Sequence, residues 1–235
     1  MRNRGNIFVF GLPTAVALWF IYGFVFPYIG GEPGRFGIYT PRREWLTMHI
    51  LAGSVAILLG PLQFWFGLNR RTSAMHRVLG VCYAAAVGVG GTAAFYLGFH
   101  TDFGWVFGMG MIGMGCAWIM TTSLAVISIC RRMVEQHREW MIRSYVVTFG
   151  FVTFRMLTML FEMIRAGTLV ERMDAASWFA WAVPLLITEV ILQGRKIFAV
   201  RANAGPIQDA NAYSVSPGPA GFDLHNSGSS YLRRP

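Results

Sequence analysis

Residues 78–99 read Val-Leu-Gly-Val-Cys-Tyr-Ala-Ala-Ala-Val-Gly-Val-Gly-Gly-Thr-Ala-Ala-Phe-Tyr-Leu-Gly-Phe, with no charged side chain in the stretch. A helix of this length spans the roughly 30 Å of a bilayer's hydrocarbon core. No polar face repeats along it, so it has no side for water. The flanks reinforce this reading: His76-Arg77 stands before it, and His100 and Asp102 stand after it.

Five further apolar runs are long enough to cross a bilayer: Ile7–Tyr28, Trp45–Phe66, Trp105–Ile129, Trp140–Ile164 and Trp178–Val200. Four of the six runs open with tryptophan, whose amphipathic ring favours the headgroup layer. The whole chain of 235 residues is 54% hydrophobic and only 13% charged. A soluble domain carries roughly a quarter of its residues charged, so lipid must solvate much of this one. The spacing predicts an all-α, polytopic membrane bundle of six transmembrane helices over residues 1–200. A polar cytoplasmic tail is expected over 201–235, rich in glycine, proline, asparagine and serine.

Charge sets the threading. Nineteen of the twenty basic residues are arginine, and the net charge is +9. The arginines punctuate apolar runs, which points to anchoring on anionic lipid and away from nucleic acid. With the N-terminus inside, fourteen basic residues fall on the cytoplasmic side and five outside, with Arg155 inside a helix. Both termini are therefore expected in the cytoplasm. The first run lacks a small-x-small cleavage site and reads as a retained helix. Cys82, Cys116 and Cys130 form no C-x-x-C pair and read as small buried residues, not as disulfides or metal ligands. Phosphate-binding glycine loops, H-E-x-x-H and G-x-S-x-G are absent from the sequence, and catalysis by side chains is not expected.

Polar side chains inside a bilayer are costly and mark function or packing. The set is His49, Gln63, Arg143, Arg155, Glu162 and Glu189. Arg155 lies near the middle of the fifth run and Glu189 near the middle of the sixth, each about 14–15 Å from a run end. Opposite charges at one depth should pair, so a buried Arg155–Glu189 ion pair is expected, either fixing helix packing or serving an ion path.

His76 and His137 sit just before the third and fifth runs on the same side, each followed by arginine, Arg77 and Arg138. Two such imidazoles could hold a haem iron, with the arginines on its propionates. Alternatively, His-Arg is a polar cap at the membrane surface. The glycines of the third and fourth runs, among them the Gly104/Gly108 pair, fit close helix packing or a flat cofactor against bare backbone. Met156, Met159 and Met163 share a helix face and read as adaptable packing, with Cu(I) transfer as the alternative.

The segment from His49 to Arg155 resembles the bacterial membrane family known as domain of unknown function 2306. The resemblance rests on His49, Gly60-Pro61-Leu62-Gln63-Phe64, Arg70, His76-Arg77-x-x-Gly80-x-x-Tyr83, His137-Arg138-x-Trp140-Met141-Ile142-Arg143-Ser144 and Arg155. It implies a multi-pass protein of the bacterial inner membrane and no particular activity. A weaker likeness is to the six-helix, two-haem transmembrane cytochromes b, whose ligand histidines sit on helices two to five. That similarity implies one haem b at His76 and His137. The fourth run has no histidine, which leaves His49 without a partner ligand.

Two functions are expected. One is a non-catalytic accessory subunit of a larger electron-transfer, photosynthetic or respiratory membrane complex, its tail lying on a protein partner. The alternative is a b-type haem electron-transfer protein.

Overall fold

The computed structural model describes residues 2–29, 34, 36–68 and 73–203. The tail from residue 204, where a protein partner was expected, and Arg70 lie outside the described residues. Helix α1 (Arg2–Phe20) continues through a π-helical turn, Ile21–Val25, into the short α2 (Phe26–Ile29). A 3₁₀ segment, Gly37–Arg42, leads into α3 (Arg43–Leu68). Then follow α4 (Ser73–Phe99), α5 (Trp105–Cys130), α6 (Val134–Met163) and α7 (Leu169–Asn203).

The six expected spans are all present, the first formed by α1, the π turn and α2. Large apolar side chains stay uncovered along whole helices, as Val81 (70% exposed), Leu186 (65%) and Val190 (65%) show. Only hydrocarbon accepts such a surface, and only helices satisfy their own backbone within it. Residues up to Gly194 form one compact unit. Arg195 onward forms a second, of which the end of α7 is described.

Helices α3 to α6 pack as successive antiparallel neighbours, and α1 lies against α3. The core joins Ala56 of α3, Tyr83 and Val87 of α4, Met114 and Trp118 of α5, and Val147 of α6. Glycines let these helices approach. A Cβ on Gly108 would stand 2.6 Å from the Gly98 carbonyl oxygen, and one on Gly91 2.7 Å from Ile119. Close packing is therefore what most of the glycines of α4 and α5 serve. Gly104, at φ 98°, begins α5 with a backbone that L side chains rarely adopt.

Pro61 lies inside α3 and removes the N–H that would bond to the Ile57 carbonyl. The Tyr145 hydroxyl of α6 donates to that carbonyl instead, at 3.2 Å. Gly60 makes this feasible, since a Cβ there would overlap the Tyr145 ring. The Gly60-Pro61 pair is thus half of a joint whose other half is Tyr145. Tyr145→Phe should cost about 1 kcal/mol by orphaning the Ile57 carbonyl. A melt in detergent should fall by about 2–4 °C. An unchanged midpoint would show that the bond carries nothing.

Several helices begin earlier than the hydrophobic runs suggest. Helix α7 starts at Leu169, nine residues before Trp178. Thr168 and Glu171 close its first turn reciprocally: Glu171 Oε2 accepts the Thr168 N–H at 2.7 Å, and Thr168 Oγ1 accepts the Glu171 N–H at 3.3 Å. Helix α6 starts at Val134 and α4 at Ser73, so His137 and His76 lie within first turns and not before them.

Candidate functional site

One end of the bundle carries the Gly37–Arg42 segment and the turns at 100–104 and 164–168 and is called here the cap end. The other, basal end carries the end of α3, the start of α4 and the turn at 131–133. A cavity of about 370 Å³ opens inside the cap half. That is within the size range of small-molecule sites. The π turn, closed by the Phe26 N–H on the Ile21 carbonyl, belongs to a stretch that supplies Phe20, Phe24 and Val25 to the wall. Phe36 to Tyr39 line it from the cap segment. Trp118 and Phe151 meet edge to face at 5.4 Å in its lining.

Two nitrogen bases interrupt this aromatic wall, His49 from α3 and Arg155 from α6. The His49 ring lies 4.8 Å from the Phe151 ring. Its Nδ1 is 2.9 Å from the Gly90 carbonyl oxygen. A carbonyl only accepts, so Nδ1 carries the proton and donates it. Nε2 then has no hydrogen-bond partner among the described residues. Arg155 sits one helical turn beyond Phe151 on α6. Its guanidinium carbon lies 5.9 Å from the Phe24 ring centre. No described carboxylate forms an ion pair with it.

The expected Arg155–Glu189 pair is corrected by the structure. Glu189 Oε2 accepts from Arg143, at 2.7 Å from Nε and 2.6 Å from Nη2. Arg143 also reaches Glu139 at 3.6 Å and lies 4.6 Å from the Trp140 ring centre. The reason is register. The α6–α7 hairpin turns between Met163 and Leu169, which sets Glu189 beside Arg143 and Ala180 beside Gly150. Arg155 and Glu189 are thus about 12 residues, or about 18 Å, out of step. The earlier start of α7 moved Glu189 away from the midplane depth read from the sequence.

His76 and His137 do come together at the basal end, their ring centroids 6.4 Å apart and the rings nearly perpendicular at 88°. His137 Nδ1 donates to the Ala125 carbonyl at 2.9 Å. His76 Nδ1 is buried with no partner. Arg138 is engaged by Glu135 at 3.3 Å, and Arg77 is exposed. Gln63 is buried and donates to the His76 carbonyl at 2.9 Å. It ties α3 to the start of α4.

Sequence reasoning missed the polar cluster beside the cavity. The Tyr83 hydroxyl contacts Ser144 Oγ and Thr148 Oγ1, both at 2.8 Å. Trp118 Nε1 donates to Thr148 Oγ1 at 2.7 Å, and Thr122 Oγ1 meets Ser144 Oγ at 2.6 Å. These bonds lock α4, α5 and α6 together and fix the indole that lines the cavity. The sequence signal was present but weak: Tyr83 and Ser144 stood in the family motif without a stated role. Thr148→Val should orphan the buried Trp118 N–H and cost about 2 kcal/mol. Thr188→Val is the control, because Thr188 Oγ1 bonds only the Pro184 carbonyl of its own helix. Equal losses in denaturation midpoint would contradict the assignment.

Among known proteins, the family described as a predicted membrane protein (DUF2306) matches residues 46–192. That range includes His49, Arg155, the His76–His137 pair and Glu189. No curated protein and no solved structure matches the chain.

Proposed function

We propose, for a chain that belongs to this DUF2306 family of predicted membrane proteins, that it holds a small amphiphilic molecule in the cap-half cavity without changing it chemically. The observation that supports this is the cavity: about 370 Å³, walled by aromatic rings, with Arg155 and His49 as polar contacts. A concave, mostly apolar site with a few convergent polar groups is what ligand pockets look like. A well-packed bundle has no packing reason to leave such a space. On the arginine count, the basal end faces the cytoplasm and the cavity lies toward the outer leaflet of a bacterial inner membrane.

Native mass spectrometry of the purified protein in mild detergent tests this. A retained small molecule, displaced when Ala94 of the cavity wall is replaced by phenylalanine, is the expected result. Identical spectra for the two proteins, with no bound mass, would refute it.

A second reading rests on the 6.4 Å approach of His76 and His137. The two imidazoles would hold the iron of a haem between α4 and α6. The His137 Nδ1–H bond to a backbone carbonyl is the support a metal-ligating imidazole usually has. Haem, when bound, would supply one-electron redox chemistry at the basal end. A reduced-minus-oxidised visible spectrum with a b-type band supports it, and a colourless, folded preparation ends it.

A further inference from the structure

We infer that the ligand of the cavity carries a carboxylate, and that Arg155 is the residue that holds it. The inference rests on the ligand-holding role proposed above and adds the charge of the head group. Four arginines among the described residues are buried or half-buried: Arg42, Arg143, Arg155 and Arg172. Three of them are answered within the chain. Arg42 meets Asp102 at 2.8 Å. Arg143 has Glu189 and Glu139. Arg172 gives its guanidinium to the Ala166 and Gly167 carbonyls, at 2.7 and 2.9 Å.

Arg155 differs from all three. Its guanidinium has no hydrogen bond or carboxylate partner among the described residues, and it lines the cavity beside the Phe24 ring. Asp174 of α7, whose Oδ1 is buried without a partner, forms no ion pair with it. Arg155 stands eight residues, about 12 Å, inside the end of α6. An uncompensated guanidinium at that depth is unfavourable, and an arginine cannot shed its proton to escape. An anion arriving in the cavity removes the imbalance. The planar fork of donors suits a carboxylate, which accepts two parallel bonds.

The wall specifies the remainder of the ligand. Phe20, Phe24, Phe151 and Trp118 offer rings, and Met111 and Met114 offer adaptable thioethers, to an apolar body. The ligand is therefore a carboxylate amphiphile of the fatty-acid class.

The test uses the full chain in lipid nanodiscs, with empty discs as blank. The probes are 11-(dansylamino)undecanoic acid and its methyl ester, which differ in the head group alone. Wild-type protein should bind the acid at least about tenfold tighter than the ester, the value of a charge-assisted hydrogen bond. Arg155→Met should erase that preference, with a loss of acid binding larger than any loss of ester binding. Arg155→Lys should keep part of it. Retained ester binding shows that the variants are folded. Equal wild-type affinity for acid and ester overturns the carboxylate inference and leaves the cavity reading standing. Binding of neither probe above the blank overturns both. Displacement of the probe by lysophosphatidate in preference to oleate assigns a phosphate head group and overturns the carboxylate.

Discussion

Replacing Gly110 by leucine is expected to force α7 off α5 and destabilise the bundle by about 3 kcal/mol or more, the upper range for overpacking a tight contact. A Cβ at Gly110 would overlap the Ser177 hydroxyl, would lie 2.8 Å from Ser177 Cβ, and would lie 3.1 Å from the Ser177 backbone carbon. The hydroxyl could rotate away, but the backbone cannot without moving the helix. Ser177 is fully buried, and its neighbour Trp178 donates to the Val106 carbonyl at 3.3 Å, so the contact is part of a fixed joint. Gly88 of α4 supplies the control, because a Cβ there meets nothing within 4 Å. Gly88→Leu should be near neutral in a thermal melt, whereas Gly110→Leu should fail to yield monodisperse protein or melt far lower. Similar behaviour of the two would contradict the α5–α7 packing.

Loss of Arg143 is the second large effect. Its side chain is 8% exposed and answers Glu189 and Glu139 together. Arg143→Met removes the buried cation that both carboxylates contact, which costs about 3 kcal/mol. The full penalty for breaking a buried pair is reduced here because the Glu189 side chain is 42% exposed. Glu189→Gln should cost less, since Glu139 remains. A double-mutant cycle on Arg143 and Glu189 should return a coupling above about 1 kcal/mol. The same cycle on Arg155 and Glu189 should return less than about 0.5 kcal/mol, the usual scatter for sites that do not touch. Arg155→Met by itself should leave stability unchanged or raised, because it removes a charge that has no ion-pair partner among the described residues.

The sequence made the crossings legible because the signal is collective. About twenty mostly apolar residues in a row have one stable solution in a cell, and six such runs name the architecture. Register was less legible. Hydropathy locates the part of a helix that sits in lipid, whereas capping locates where the helix begins. Thr168-x-x-Glu171 is a readable start signal that begins ten residues before Trp178. Counting from it sets Glu189 beside Arg143, which is what the structure shows.

The cavity had no local signature. It is built where a π turn in the first span, a 3₁₀ segment and the faces of α3 and α6 meet. His49 and Arg155 are 106 positions apart. Both stood out as costly residues, but their shared wall depends on long-range packing that no periodicity encodes. The Tyr145 bond to Ile57 was hidden in the same way: Pro61 announces an orphaned carbonyl, yet nothing near it names the donor.

Photo-crosslinking tests the central claim most directly. A long-chain carboxylic acid bearing a diazirine is equilibrated with the protein in nanodiscs, irradiated, and its adducts mapped by peptide sequencing. Adducts concentrated on residues 20–28 of the first span and 151–155 of α6, and competed away by oleate, are the predicted result. Adducts spread over lipid-facing positions such as Leu186 and Val190, with none on those two stretches, would show that the cavity holds no such ligand.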